Sequence, residues 1–136
     1  MTEKKFFTHK NKKIAYVDVG TGDPIIFFHG NPSSSYLYRN IIKNLNSGYR
    51  CIAADMIGMG DSDKLDNPGH MTYTFDTHFE YLSELIKSLN LNEKITLVGQ
   101  DWGGPLSIKW ARENSGKVRG ICLLYTSDAA DEQQRV

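Results

Sequence analysis

The sequence predicts an α/β fold, in which a mostly parallel sheet carries helices on both faces. Continuous apolar runs of strand length recur along the chain, as expected of strands that are buried on both faces of a sheet. Segments with the apolar spacing of helices lie between these runs. Alternation of this kind is typical of parallel sheets. With 136 residues, the chain has room for one domain at most.

The first part of the chain predicts a hairpin and then a buried strand. Residues 6–9 and 13–19 have strand patterns around a polar turn at 10–12, and the second pattern alternates between its two faces. Turn residues follow at 20–24. The run at 25–28 is continuously apolar, which indicates a strand buried on both faces.

The remainder of the chain alternates helix and strand. The pattern predicts a helix over 36–45, strands over 50–54, 95–98 and 118–124, and a helix from about 104 to 113. A further helix is predicted by five apolar residues at helical spacing: Phe75, Phe79, Leu82, Ile86 and Leu89.

Charge and composition argue against several classes of partner. Sixteen basic residues balance sixteen acidic ones without long runs of either sign, so nothing favours binding to nucleic acid or to an anionic membrane. No apolar stretch has the length of a signal peptide core or a membrane span, and we expect a soluble, cytoplasmic protein.

Cys51 and Cys122 lie in apolar segments, which favours reduced, buried thiols over a disulfide or a metal site.

The segment Gly99-Gln100-Asp101-Trp102-Gly103 is the strongest candidate for a catalytic turn. It joins a predicted strand to a predicted helix and matches the pattern G-x-nucleophile-x-G, in which glycines on both sides let neighbouring backbones approach closely. An aspartate is already an anion at neutral pH, so Asp101 can attack carbon without a base to remove a proton. The alternative is that Asp101 only caps the following helix.

Two nearby positions can supply hydrogen-bond donors. His29-Gly30-Asn31-Pro32 follows the strand at 25–28, where a loop can give one backbone N–H to an oxyanion hole, although an ordinary turn is the alternative. Trp102 is either a core aromatic or an indole donor beside Asp101, and the adjacency favours the donor. Trp110 is expected to pack in the core. His29 precedes Asp101 in the chain, and we interpret it as a residue that orients the loop.

Other polar motifs do not predict a site. Residues 58–63 lack the third glycine of a dinucleotide fingerprint, because Asp63 stands there, and they lack the glycine and glutamate that a calcium loop requires at Asp66 and Thr72. A structural loop near the active face is the favoured interpretation. No metal site is predicted. The remaining histidines have no clustered partners and are expected to be solvated or on helix faces: His9, His70 and His78.

With these motifs placed, the chain resembles the N-terminal half of a haloalkane dehalogenase, an enzyme of the α/β-hydrolase superfamily. The likeness spans nearly residues 4–123 and rests on HGNPSSSYLYRN at 29–40, IGMGDSDK at 57–64 and QDWGG at 100–104. The resemblance implies an α/β-hydrolase fold with Asp101 as the nucleophile. It also implies that the side chains of Asn31 and Trp102 donate hydrogen bonds to the leaving halide, and that their backbone N–H groups form the oxyanion hole.

The implied reaction converts a small, apolar haloalkane and water into an alcohol and halide, without a cofactor. Asp101 displaces the halide to form an alkyl ester, which a histidine-activated water then hydrolyses. The resemblance places the catalytic acid where Tyr125 stands, and tyrosine supplies no carboxylate at neutral pH. We therefore expect residues 1–124 to be the N-terminal part of a hydrolase domain, truncated before the cap and later strands. The polar residues 125–136 are expected to be foreign to the fold, and the chain to lack turnover.

Three other functions remain open at this point. An epoxide hydrolase shares the aspartate turn and the His-Gly-x-Pro loop, but Asn31 together with Trp102 favours halide. A light-emitting oxygenase of the same lineage also carries the aspartate turn. The third alternative is not an enzyme: the chain is a non-catalytic fragment or binding module, since half of such a sheet leaves an apolar edge and uncovered faces. The sequence predicts neither substrate preference nor oligomeric state.

Overall fold

The structure is a computed structural model that describes residues 3–67 and 69–124. It includes two short 3-10 helices, Ser35–Tyr38 and Ser115–Lys117. The strands and α-helices, in chain order, are β1 (Lys5–His9), β2 (Lys12–Val19), β3 (Pro24–Phe28), α1 (Arg39–Leu45), β4 (Arg50–Ala54), α2 (Phe75–Ser88), β5 (Ile95–Gln100), α3 (Gly103–Glu113) and β6 (Val118–Leu124).

The six strands form one sheet in the order β1-β2-β4-β3-β5-β6. The hairpin of β1 and β2 is antiparallel, and β2 is antiparallel to β4, whereas β4, β3, β5 and β6 are parallel to one another. The predicted mostly parallel sheet is therefore confirmed. The chain leaves β3 toward β4 and leaves β5 toward β6, in opposite directions along the sheet. Ligand sites of open α/β sheets lie at such a reversal, beyond the carboxyl ends of the strands.

Side chains of the central strands pack against helices on both faces of the sheet, as predicted. On β3, Ile25 and Phe27 pack with Ile42 of α1, while Ile26 and Phe28 face the opposite core. The larger core contains the apolar stripes of α2 and α3, and Trp110 is buried within it as predicted. None of the helices in the described part of the chain is long and apolar enough to cross a membrane.

Most element boundaries agree with the sequence prediction to within two residues. The hairpin turn places Lys10 and Asn11 at φ values of 50° and 63°, the left-handed conformation that a two-residue turn between twisted strands requires. The helix predicted over 36–45 is divided into a 3-10 turn and α1. The hydroxyl of Ser34 caps the 3-10 turn by accepting from the N–H of Tyr36. Residues 125–136, which are predicted to be foreign to the fold, lie outside the described residues.

The two cysteines differ in burial. Both thiols are free, and Cys51 is buried as predicted, but Cys122 is exposed, so the prediction for that residue is wrong. The physical reason is the position of β6 at the edge of the described sheet, where Ile121 and Leu123 are also 41% and 50% exposed. An apolar run predicts a strand but does not show which element covers it.

A buried carboxylate, that of Asp55, joins three segments of the chain. Oδ1 accepts from the N–H of Ser35 at 2.7 Å, and Oδ2 accepts from the N–H of Asp61 at 2.9 Å and from Nζ of Lys4 at 2.7 Å. Burial alone would raise the pKa of Asp55, but the hydrogen bonds from Lys4, Asp61 and Ser35 hold it below its usual value. The loop at 58–63 thus has the structural role that its sequence predicts.

Replacing Asp55 with asparagine tests this interaction. Asp55→Asn removes the buried charge that faces Lys4, and we expect the free energy of unfolding to fall by about 3 kcal/mol. The control is Asp61→Asn, since Asp61 also pairs with Lys4 at 2.8 Å but is 66% exposed. That variant should lose about 0–1 kcal/mol. Urea unfolding followed by circular dichroism measures both, and equal losses would contradict the assigned role of Asp55.

Candidate active site

The candidate site lies where β3 and β5 end side by side. Phe28, the last residue of β3, is paired with Gly99 of β5. The loop that begins at His29 and the turn at Asp101 therefore leave the sheet next to each other, at the point where the chain direction reverses. The structure brings together two segments that are about 70 residues apart in sequence.

The turn at Asp101 has the shape that the sequence predicts. Asp101 has a φ of 57°, in the left-handed region that a non-glycine residue adopts at a cost in energy. The turn also needs glycine on both sides. A Cβ at Gly103 would overlap the carbonyl oxygen of Phe28, and a Cβ at Gly99 would overlap that of Gly103. The predicted sequence of strand, sharp turn and helix is confirmed.

The side chain of Asp101 does not cap helix α3. The N-cap residue of that helix is Trp102, and no side-chain hydrogen bond caps it. Instead, Oδ2 of Asp101 accepts from the backbone N–H of Asn31 at 3.1 Å, across the gap between the two strands. Gly30 makes this approach possible, because a Cβ there would lie 2.7 Å from the same oxygen. The helix-cap alternative is therefore wrong, and the exposed carboxylate is held by the opposite loop.

His29 holds that loop in place, as predicted. Its ring is 1% exposed. Nδ1 donates to the carbonyl oxygen of Gly30 at 2.7 Å, and Nε2 accepts from the N–H of Met56 at 2.9 Å. Burial lowers the pKa of His29, which keeps the ring neutral and preserves this pair of hydrogen bonds. Both nitrogens are occupied, so His29 has no nitrogen available to act as a base.

Trp102 and Asn31 present polar groups near Asp101. The Trp102 side chain is half-buried, and its ring packs against Phe75, with centroids 6.4 Å apart, and against His78 at 5.8 Å. Asn31 is exposed. Within residues 3–67 and 69–124, neither the side-chain amide of Asn31 nor the indole N–H of Trp102 forms a hydrogen bond, and the backbone N–H of Trp102 does not reach the Asp101 carboxylate.

His78 lies on a face of helix α2, one of the two placements predicted for it, but that face is buried. His78 is 1% exposed on α2, between Tyr73 and Trp102. Burial lowers the pKa of His78 to about 4, with a smaller contribution from the nearby His29. Its spacing of three residues from Phe75 and four from Leu82 was the available signal, since it puts His78 on the apolar face of the helix. By contrast, His70 is exposed as predicted.

The described residues around this site do not have the arrangement of a metal centre. In the described ranges, no group of three or more His, Cys, Asp or Glu side chains is arranged to hold a metal ion. The groups that meet at the site are the Asp101 carboxylate and a neutral donor, the backbone N–H of Asn31. This set can present a nucleophile to carbon and stabilise an anion that forms opposite to it.

Comparison with known proteins identifies the family. Residues 23–135 match the protein family that is described as "alpha/beta hydrolase fold", and the chain belongs to this family. A haloalkane dehalogenase of Sphingobium indicum strain B90A is 50% identical over 122 residues, which cover 90% of this chain and 41% of the relative. A haloalkane dehalogenase of Mycolicibacterium smegmatis is 45% identical over 115 residues, or 85% of this chain and 37% of the relative.

Solved structures agree with this relationship. The crystal structure of the haloalkane dehalogenase DatA from Agrobacterium tumefaciens C58 matches with a TM-score of 0.81 and 36% identity, covering 89% of this chain and 40% of that chain. The predicted α/β-hydrolase fold and the resemblance to haloalkane dehalogenases are confirmed. The chain spans about two fifths of the length of the relatives that it matches, and corresponds to their N-terminal part.

Two adjacent glycines of α3 allow a direct test of the close approach at the turn. Gly103→Ala places a methyl group against the backbone of β3, which cannot move away cheaply, and should lower the free energy of unfolding by about 3 kcal/mol. The matched control is Gly104→Ala, where the nearest atom is Cδ2 of Leu123 at 3.7 Å. Alanine favours the helix there, so stability should rise by about 0.5–1 kcal/mol. Thermal or urea unfolding measures both changes; a neutral Gly103→Ala would exclude the tight crossing.

Proposed function

We propose that this chain carries the attacking half of a hydrolytic haloalkane dehalogenase, with Asp101 as the nucleophile and with Asn31 and Trp102 as the halide-binding residues. The observation that carries the proposal is the position of the Asp101 carboxylate. It stands exposed at the carboxyl end of β5, on a left-handed turn, and is held by the N–H of Asn31 instead of by its own helix. Relatives at 45% and 50% identity are haloalkane dehalogenases.

The hydrogen bond from Asn31 leaves one carboxylate oxygen available for attack. With Oδ2 engaged by the N–H, Oδ1 forms the new bond to the sp³ carbon of the substrate. The bond from carbon to halogen breaks, and the halide departs with the electron pair. The Asn31 amide and the Trp102 indole N–H, which have no other partner among the described residues, then stabilise the halide.

The same N–H serves the second step of the proposed reaction. Oδ2 becomes the carbonyl oxygen of the alkyl ester and carries the negative charge when water attacks that ester. The backbone N–H of Asn31 already points at this atom, and the backbone N–H of Trp102 is the second proposed donor. The donor is therefore in place before the charge develops, which lowers the reorganisation needed in the transition state.

Hydrolysis of the ester needs a base, and neither buried histidine suits that role. Both ring nitrogens of His29 are occupied, and the low pKa of His78 makes its imidazole a weak base. In the proposal, residues 1–124 are the N-terminal part of the hydrolase domain. These residues then form the ester, and neither His29 nor His78 hydrolyses it.

The proposal also covers the substrate, the cofactor, the partners and the cellular location. The substrate is a small, apolar haloalkane, the co-substrate is water, and no cofactor takes part. The balance of sixteen basic and sixteen acidic residues supports a protein without nucleic-acid or anionic-membrane partners, and a cytoplasmic location is part of the same proposal.

Alkylation by 1-bromobutane tests the nucleophile. We expect one butyl group on Asp101 and one bromide released per chain, because the carboxylate attacks and the ester persists. In Asp101→Asn, both should fall to background. Mass spectrometry of the peptides and bromide assays measure the two outcomes, with Asp61→Asn as the control that removes an exposed carboxylate elsewhere.

The exposed thiol of Cys122 is a competing nucleophile, so both variants and the parent are made with Cys122→Ser. Circular dichroism verifies that each chain is folded. An adduct that persists in Asp101→Asn, or repeated release of bromide by the 136-residue chain, would contradict the proposed arrangement.

An epoxide in place of the bromoalkane separates the proposed function from an epoxide hydrolase. Because Asn31 and Trp102 are assigned to a leaving halide, we expect ester formation with 1-bromobutane and none with 1,2-epoxybutane under the same conditions. Mass spectrometry again detects the adduct, with Asp101→Asn as the background for each compound. An adduct formed by the epoxide alone would favour the epoxide hydrolase, and no adduct from either compound would favour a non-catalytic fragment.

A further inference from the structure

We infer that His78 is a positioning residue, whose ring holds the Trp102 indole in the orientation that halide binding requires. The inference rests on the proposed function, since it concerns the halide site formed by Asn31 and Trp102. It does not make His78 a base, a ligand or a nucleophile. The argument depends on ring packing, on burial and on one ring nitrogen that has no partner.

The contact between His78 and Trp102 is the closer of the two aromatic contacts that hold the indole. The two ring centroids are 5.8 Å apart and the planes are 81° apart, an edge-to-face arrangement. Phe75 makes the second contact at 6.4 Å. Trp102 follows the exposed Asp101 in a turn, and both aromatic contacts of its ring come from α2.

The ring of His78 also packs against Tyr73. Their rings are stacked, with centroids 6.0 Å apart and planes 23° apart. The hydroxyl of Tyr73 accepts from the N–H of Leu65 at 2.7 Å, and Gly58 leaves the space that the tyrosine ring fills. A continuous stack thus runs from the loop after β4, through Tyr73 and His78, to Trp102. A ring that is itself packed against a second ring can hold its neighbour in one orientation.

Stability alone does not favour histidine at this position. His78 is 1% exposed, and its Nδ1 has no hydrogen-bond partner among the described residues. A buried polar atom without a partner lowers stability, so leucine would remove a penalty. Because burial lowers the pKa of His78 to about 4, the ring is neutral at pH 7 and does not attract a halide by charge. The ring contact with Trp102 is the role that remains.

Bromide binding to the 136-residue chain tests the inference. Bromide quenches tryptophan fluorescence, and a bound halide gives saturable quenching. We expect His78→Leu to raise the bromide dissociation constant about 3- to 10-fold, the effect of losing one aromatic pair, while its thermal midpoint is unchanged or higher. His78→Phe restores a ring and should bind bromide within about 2-fold of the parent.

The matched control is Phe79→Leu. Phe79 is the next residue of α2 and is also buried, but its ring lies in the core and not against Trp102. This variant should lower the thermal midpoint and change the bromide dissociation constant by less than about 2-fold. Equal effects of His78→Leu and Phe79→Leu on bromide binding would overturn the inference. Loss of the folded circular dichroism signal in His78→Leu would also overturn it, because the residue would then serve stability.

A second measurement separates failure of the inference from failure of the proposed function. The chain has two tryptophans and therefore two indole N–H resonances, which Trp110→Phe assigns. If the parent shows no saturable bromide binding, the proposed halide site fails. The inference about orientation then stands if the Trp102 resonance is single and sharp in the parent and in His78→Phe but broad or split in His78→Leu. It falls if the three resonances have the same width.

Discussion

The site depends on one close crossing, where the first turn of α3 passes the end of β3. At Gly103 the two backbones are so close that no side chain fits between them. Because Phe28 and Gly99 are paired in neighbouring parallel strands, this crossing aligns the turn at Asp101 with the loop that follows β3. A shift in either backbone would separate the Asp101 carboxylate from the N–H of Asn31. The chemistry proposed for the site thus follows from a steric constraint in the backbone.

The loop on the β3 side is held by buried polar contacts on both sides of Asn31. Before it, Nε2 of His29 accepts from the N–H of Met56, and after it the Asp55 carboxylate accepts from the N–H of Ser35. Both contacts join this loop to residues that follow β4. Each polar group is buried and paired, so loosening the loop would leave groups unsatisfied. The donor at Asn31 is consequently fixed before any substrate arrives, which is what electrostatic preorganisation requires.

Local sequence patterns predicted the fold and the turn at Asp101, because both features are determined by short segments of contiguous residues. Apolar runs specify strands buried between two layers of helices, and glycines two residues on either side of Asp101 specify a backbone crossing. Contacts between distant segments were not predictable in this way. Lys4 and Asp55 are 51 residues apart, and nothing local indicates that they pair. The burial of His78 and the exposure of Cys122 depend on which elements cover them, which only the tertiary structure shows.

Several local departures from low-energy structure meet at this one place in the molecule. Left-handed residues also occur elsewhere, at Lys10 and Asn11 in a hairpin turn, at Asn67 in a bend and at Asn90 after α2, but Asp101 adopts this conformation in the sharp turn between β5 and α3. Close by, His78 has a buried nitrogen without a described partner, and Trp102 keeps part of its ring exposed. Strain and unsatisfied groups persist only where the surroundings enforce them, and they concentrate at functional sites. Their convergence beside the β3 and β5 ends therefore supports a functional site there independently of the family relationship.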